Sequence, residues 1–398
     1  MSVRAAVLTR EFPPHVYGGA GVHVEHLAPA LSAHVDVSVH RFAEPGDRAV
    51  PGAVYAPWDA LADPAPHTAA LRTMSVNLAM AANLGSVDIV HSHTWYANFA
   101  GHLAKLLYDV PHVMTTHSLE PLRPWKADQL GGGYAVSSFC ERVAVASADR
   151  VIAVSRRMRD DVLACYPAVA PERVAVVHNG VDVDAYTRDP GTDVLERHGV
   201  DPHRPTVVFV GRITRQKGLG HLLAAAEQLH PDAQLVLCAG APDTPRLAAE
   251  VRAAVQRLAA TRTGVVWIEG LLPRRDVVQL VSHATVLACP SVYEPFGLVN
   301  VEAMACATAV VASRTGGIPE IVVDGETGLL VDVGVQEGDG EPVDPQRFAA
   351  ALAAALNGLL GDPQRARAFG TAGRRRVEEC FSWDAIAART ATLYGELV

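Results

Sequence analysis

Two glutamates, Glu294 and Glu302, stand eight residues apart in the run Pro290-Ser291-Val292-Tyr293-Glu294-Pro295-Phe296-Gly297-Leu298-Val299-Asn300-Val301-Glu302. Pro295 is tolerated only at or before a helix start, so a helix is expected from Gly297 toward Ala305. Glu294 then projects from the loop and Glu302 from the helix. One carboxylate can meet sugar hydroxyls while the other meets a ribose. The amides of Gly297, Leu298 and Val299 would point at a phosphate between them, with Phe296 in the same donor-side turn. Two acids at this spacing are common by chance; the run with Pro295, Gly297 and a preceding strand is much less so.

A second group is Gly211-Arg212-Ile213-Thr214-Arg215-Gln216-Lys217-Gly218, between a β-branched run and an amphipathic stretch from Leu219 to Leu229. Arg212 and Lys217 flank a strand-to-helix loop, where guanidinium, ammonium and helix N-terminus can converge on a diphosphate. A solvated basic loop is the plainer alternative, and position at a strand's carboxyl end weighs against it. Neither this loop nor Gly18-Gly19-Ala20-Gly21 matches a Walker or dinucleotide fingerprint. The paired glycines Gly18 and Gly19 free the backbone to approach a ligand, although such a turn is often only a tight connection. A third run, His117-Ser118-Leu119-Glu120-Pro121-Leu122-Arg123-Pro124-Trp125-Lys126 to Gly131-Gly132-Gly133-Tyr134, combines two cations with glycines and aromatics. It could fold over a phosphorylated sugar, or be a surface loop.

These residues need elements to hold them. Short β-branched runs followed by Ala/Leu-rich stretches recur at Val3–Leu8, Val35–His40, Ile89–His91, His112–Thr116, Val151–Val154 and Val174–His178. A second series runs through Thr206–Val210, Gln234–Cys238, Val265–Ile268, Thr285–Ala288, Ala309–Ala312 and Leu329–Val331. Such alternation signals βαβ units, hence an α/β chain with two doubly wound, Rossmann-like parallel sheets. A proline-punctuated connection from Asp182 to Pro205 marks the boundary. The expected organisation is 1–190, 191–380 and a terminal segment 381–398. Ligands in such sheets sit beyond the carboxyl ends of the strands, and two facing domains would make an interdomain cleft.

The 398 residues are 49% apolar, so large cores can form and disorder is excluded as the main state. With 34 basic and 43 acidic residues the net charge is -9, which gives no overall attraction for nucleic acid or an anionic membrane. The apolar N-terminal run is too short for a signal segment and no run is long enough to span a bilayer, so a cytoplasmic protein is expected. Six scattered cysteines read as buried free thiols. His91 and His93 alternate on a strand without nearby Cys or carboxylate ligands, which suits a cleft lining better than a metal site. Gly334–Pro345 reads as an acidic surface loop, and Arg374-Arg375-Arg376 as a solvated helix face.

Taken together, Glu294 with Glu302, the Gly211 to Lys217 loop, Gly18-Gly19, His178-Asn179-Gly180-Val181-Asp182 and Gly316-Gly317-Ile318-Pro319-Glu320 resemble the retaining glycosyltransferases of GT-B fold marked by Glu-x7-Glu. The resemblance spans essentially the whole chain. It implies a nucleoside diphosphate sugar donor in the C-terminal half, with no cofactor and no metal. Arg212 and Lys217 would stabilise the departing diphosphate. Glu294 would hold donor-sugar hydroxyls, Glu302 the ribose, and His117 and Asn179 the donor sugar. Front-face displacement with retention is the implied mechanism.

More narrowly, the chain is similar to actinobacterial glycogen synthases that join ADP-glucose and glucose 1-phosphate into α-maltose 1-phosphate. The matching residues are Leu8 to Pro14, Tyr17 to His23, His91-Ser92-His93-Thr94-Trp95-Tyr96 and the His117 to Tyr134 run. Polymer-extending bacterial relatives read Lys-Thr-Gly-Gly where this chain has Val16-Tyr17-Gly18-Gly19, and Asp where it has Thr94. The expected acceptor side is therefore Tyr17, Thr94, Arg123, Lys126 and Tyr134, with the cations facing a phosphate. A glycogen synthase extending α-1,4-glucan ends, or a related transferase with another acceptor, stays open as the alternative, as does a homodimer.

Overall fold

A computed structural model describes residues 2–48, 50, 53–63, 65–334 and 340–398. Two compact units divide the chain: Met1–Gly180 with Trp383–Val398, and Val181–Ser382.

The first unit holds seven strands: β1 (Arg4–Thr9), β2 (Asp36–Phe42), β3 (Val54–Tyr55), β4 (Ile89–His93), β5 (His112–Thr116), β6 (Arg150–Ala153) and β7 (Val174–Val176). They form one sheet in the order β3-β2-β1-β4-β5-β6-β7, every pair parallel. Both faces are covered by helices, so β5 is buried at every position. Successive residues pack to opposite faces. Ala5 and Ile89 join Leu27, Leu31, Trp383 and Tyr394, whereas Ala6 and Val90 join Leu8, Val76, Met80 and Ala100. The two-residue β3 carries too little pattern to be read from sequence. Strand β4 continues past its apolar start through His91, Ser92 and His93, all buried. Their polarity is tolerated because His91 and Ser92 are hydrogen-bonded at 2.6–2.9 Å to Tyr394, Thr115, Asn98 and His112.

The second unit holds β8 (Thr206–Arg212), β9 (Gln234–Gly240), β10 (Val265–Ile268), β11 (Val286–Cys289), β12 (Ala309–Ser313) and β13 (Gly328–Val331). Their order is β10-β9-β8-β11-β12-β13, again all parallel. Its core joins Val207, Phe209, Leu235 and Leu237 to Leu222, Phe348 and Leu352. Helices Pro245–Thr261, Pro345–Leu360 and Pro363–Cys380 each start with a proline in the first turn behind a Thr or Asp whose side chain accepts an amide of that turn.

Residues 181–190 lie in the second unit because its helices satisfy them. Asp189 N donates to Ser282 Oγ, and the Tyr186 hydroxyl donates to Glu302. The terminal helix Trp383–Gly395 lies in the first unit: Trp383 stacks on His26, and Gly180 passes so close to its ring that a Cβ there would come within 2.7 Å.

Two local readings are corrected. Arg374 and Arg376 do not lie on a solvated face: Arg374 caps the carbonyls of Val183, Tyr186 and Ala305, and Arg376 those of Glu320 and Ile321. Of the six free cysteines Cys380 is exposed and Cys165 half-buried, the former because it ends a helix on the solvent side. Positions 335–339 of the acidic Gly334–Pro345 loop lie outside the described residues; Glu341 beyond them pairs with His221 at 2.9 Å. Among the described residues no helix is long and apolar enough to cross a membrane.

Candidate active site

In each sheet the strand order reverses once: between β1 and β4 in the first unit, between β8 and β11 in the second. That reversal opens a crevice beyond the carboxyl strand ends, where doubly wound sheets bind ligands. Gly18, Gly19 and Thr94 follow β1 and β4, and Arg212, Lys217 and Glu294 follow β8 and β11, at these two places; His117 to Tyr134 follow the neighbouring β5, and Asn179 follows β7.

In the second unit, β8 ends at Arg212 and the chain makes a short turn, Arg215–Lys217, capped by the Thr214 hydroxyl accepting from Lys217 N. Gly218 follows at φ +63°, a Cβ there meeting the Pro290 carbonyl at 2.0 Å, so the turn lies directly against the chain leaving β11. Across that contact Lys217 Nζ reaches Glu294 Oε2 at 2.7 Å. Ser291 Oγ donates to the same oxygen at 3.0 Å. Burial is the largest single influence on the Lys217 pKa and lowers it, but the charge and hydrogen bond of Glu294, with Cys289 and Glu302, together outweigh it and the net shift is upward. An ammonium has three donors, so two remain for a ligand. Arg212 is paired with Asp243 at 2.8 Å, while its Nε is buried without a partner.

The helix of the Glu-x7-Glu run is Leu298–Ala305, with Gly297 at φ +111° as its N-cap. Glu294 precedes it and Glu302 lies on it. Glu302 accepts from the Tyr186 hydroxyl at 3.0 Å, and burial raises its pKa. Gly297, Leu298 and Val299 occupy the helix start, whose first amides lack intrahelical acceptors. Phe296, in contrast, is 2% exposed and packs edge-to-face on Phe381, so it braces the turn.

In the first unit, His117 follows β5 and His93 ends β4, with His93 Nδ1 and His117 Nε2 at 3.0 Å. His23, on helix Gly19–Leu31, packs its ring against both and bonds through Nδ1 to Asn179 Oδ1 at 2.7 Å. The amide oxygen must accept, so His23 carries its proton on Nδ1. Burial pushes His23 down to about 4, and His91, His93 and His117 well below the usual imidazole value, so the cluster is neutral. The ligand atoms of His23, His93 and His117 lie within 4.8 Å of one another, the one such group among the described residues that could hold a metal ion. The sequence pointed at His91 and His93, but His91 is spent on Tyr394 and Thr115.

The Gly18-Gly19 turn holds an anion from its own chain. Glu11 Oε2 accepts the amides of Tyr17 at 3.0 Å and Gly18 at 2.7 Å, and a Cβ on Gly18 would come within 3.1 Å of the carboxylate. Gly18 is the helix N-cap and Gly19 its first residue. Thr94 opens helix Thr94–Tyr108 at φ +62°, a left-handed conformation unusual for a β-branched residue. Arg123 donates to Ser118 Oγ at 2.8 Å, and its Nε is buried without a partner. Lys126 is 6% exposed, 3.4 Å from Glu120, with its ammonium 5.8 Å from the Tyr96 ring centre. Tyr134 donates to the Glu120 carbonyl at 2.6 Å and ties the loop back on itself. Tyr17 is exposed.

Glu11, His23, Tyr96, Tyr186, Asp243, Ser291 and Tyr394 were not singled out individually from sequence. Only Glu11, His23, Tyr96 and Ser291 lie within runs that carried a signal.

Residues 17–185 match the model of Glycosyltransferase Family 4, and residues 192–376 that of Glycosyl transferases group 1. Over 395 residues, 98% of this chain and 99% of the relative, the sequence is 57% identical to an alpha-maltose-1-phosphate synthase of Mycolicibacterium smegmatis. Among solved structures, the sucrose-phosphate synthase of Thermosynechococcus elongatus superposes with a TM-score of 0.78 at 26% identity, covering 99% of both chains. An Anabaena protein in complex with UDP-glucose superposes with a TM-score of 0.77 at 22% identity, covering 99% of this chain and 100% of that one.

Proposed function

The chain belongs to the GT-B glycosyltransferases, and on that premise we propose that it transfers glucose from ADP-glucose to glucose 1-phosphate, with retention, forming α-maltose 1-phosphate. It is a hexosyltransferase. What carries the donor half of the reading is the Lys217–Glu294 contact at the switch point of the second sheet, where β8 ends at Arg212 with its Nε unpartnered. Negative charge grows on the departing diphosphate, and Arg212 and Lys217 are the fixed cations there. Glu294, held by Lys217 and Ser291, receives donor-sugar hydroxyls on its remaining lone pairs. The first amides of helix Leu298–Ala305 take phosphate, and Glu302, oriented by Tyr186, takes the ribose.

The neutral His117, with His23 and Asn179, offers hydrogen bonds to the glucosyl unit without adding positive charge near an oxocarbenium-like centre. Gly18, Gly19, Tyr17 and Thr94 complete the sugar contacts. The acceptor hydroxyl attacks from the leaving-group side, and its proton passes to the diphosphate oxygen. No step calls on a metal or cofactor. A phosphorylated acceptor is supported by the relative's name, by the buried ammonium of Lys126 and by the buried, unpartnered Nε of the half-buried Arg123, which favour an anionic partner.

The test is ADP release from ADP-glucose with glucose 1-phosphate, against glycogen as acceptor and against UDP-glucose as donor. The product is identified by mass and by lability to alkaline phosphatase. A phosphorylated disaccharide is expected. Elongated glucan with no turnover of glucose 1-phosphate would overturn the acceptor assignment and leave the donor site standing.

A further inference from the structure

Arg10 follows β1 directly, at the switch point of the first sheet. Its guanidinium carbon lies 4.3 Å from the Tyr96 ring centre and 5.9 Å from that of Tyr17. The adjacent carboxylate, Glu11, is already engaged by the amides of Tyr17 and Gly18, and Glu44 acts on Arg10 only through space. Among the described residues Arg10 makes no ion pair, and its Nε is buried without a hydrogen-bond partner. A buried donor left unmade is costly unless a ligand supplies the acceptor.

The same Tyr96 ring is approached by the Lys126 ammonium at 5.8 Å. Lys126 shares Glu120 with Ser137, whose hydroxyl donates to the other carboxylate oxygen at 2.6 Å, so its ion pair at 3.4 Å is a long one. Arg123, three residues before Lys126, donates only to the neutral Ser118 hydroxyl among the described residues and has a second orphaned Nε. Arg10 and Lys126 thus approach one aromatic ring, with Arg123 beside Lys126 in the chain and too little negative charge in contact with the three. A phosphate monoester dianion has the oxygens to accept from several such donors at once.

We infer that Arg10 is a specificity-determining residue of the acceptor subsite, binding the phosphate group of the sugar phosphate together with Arg123 and Lys126. This rests on the reading of the acceptor as a sugar phosphate. Held 4.3 Å from the Tyr96 ring centre, the guanidinium is positioned by a cation–π contact and has less rotamer freedom left to lose on binding. An unphosphorylated sugar gains nothing from Arg10, so the residue discriminates between acceptors rather than serving the transfer step.

The experiment uses the full chain with Arg10→Met, which keeps the apolar stem over Tyr96, and Arg10→Lys, which keeps the charge. Two readouts are taken: the kinetics with glucose 1-phosphate, and the binding of inorganic phosphate by calorimetry with ADP saturating the donor site. Arg10→Met should raise KM for glucose 1-phosphate about tenfold or more, with kcat within threefold and KM for ADP-glucose unchanged. It should weaken inorganic phosphate by a similar factor, and Arg10→Lys should recover part of both. Unchanged KM and unchanged phosphate binding in Arg10→Met would overturn the inference while leaving the proposed reaction intact. If the wild type does not use glucose 1-phosphate the acceptor reading falls, and the phosphate titration still decides whether Arg10 binds the anion. Should Arg10→Met fail to fold, Arg10→Lys decides on the same readouts: a partial loss of phosphate affinity and a raised KM are expected, and values identical to wild type would overturn the inference.

Discussion

Lys217 and Glu294 meet at 2.7 Å although 77 residues separate them, because the turn after β8 and the loop after β11 leave adjacent parallel strands on the same side. The contact joins the group suited to a leaving diphosphate with the group suited to the sugar. Glu294 is buried, and Lys217 and Ser291 both donate to its Oε2.

Lys217→Ala is therefore expected to lower kcat about a hundredfold or more, since it removes charge where the transition state gains it. It also leaves a buried carboxylate without its ion-pair partner, costing roughly 3 kcal/mol of stability. Adding Glu294→Gln should restore much of the stability and none of the activity. Denaturant unfolding and single-turnover rates on the three variants check this, and full stability in Lys217→Ala alone would refute it.

Tyr186→Phe removes the hydroxyl that orients Glu302 and nothing at the reacting centre. KM for the nucleotide sugar should rise roughly fivefold to tenfold with little change in kcat. A change confined to kcat would mean that Glu302 acts on the reacting sugar instead.

Gly316 stands at φ +54°, and a Cβ there would fall 1.8 Å from the Glu294 carbonyl oxygen, beside the 2.9 Å hydrogen bond from Gly317 N to that oxygen. Gly316→Ala should displace Glu294 and reduce kcat more than tenfold. Gly220→Ala, in the same unit with open space around it, is the control and should keep wild-type rates. Equal effects of the two substitutions would dissociate Gly316 from the site.

Glu141 is pushed up to about 8 by burial and by the nearby Glu120. The folded state thus holds this proton more tightly than the unfolded chain, whose carboxyl titrates near about 4.3. Stability from this group is lost as pH rises through that interval. The buried histidines act in the opposite sense, since His23 at about 4 lies below its unfolded value and loses stability only as pH falls below about 6.5. Between pH 6.5 and 8 Glu141 dominates of the two. The wild-type melting temperature should decline across that range, and Glu141→Gln should flatten the decline; parallel slopes would contradict it.

The sequence by itself determined the two parallel sheets, because β-branched runs buried on both faces admit few other arrangements once helical stretches alternate with them. It also determined the placing of Arg212, Lys217, Glu294 and Glu302, each fixed by a local rule: a glycine that permits the turn, a proline that must precede the helix, a strand that ends where its apolar run ends. Tertiary structure alone decided which of these groups touch. That Lys217 faces Glu294, that Tyr186 from the connecting segment reaches Glu302, and that Tyr394 from the last helix reaches His91 are contacts between segments far apart in the chain. Periodicity and capping describe a few turns at a time. Strand order and side-chain packing set which distant segments meet, and those are properties of the assembled sheet. The same holds for Arg10: its position after β1 is legible, but its stacking on Tyr96 beside Lys126 exists only because β1 and β4 are neighbours.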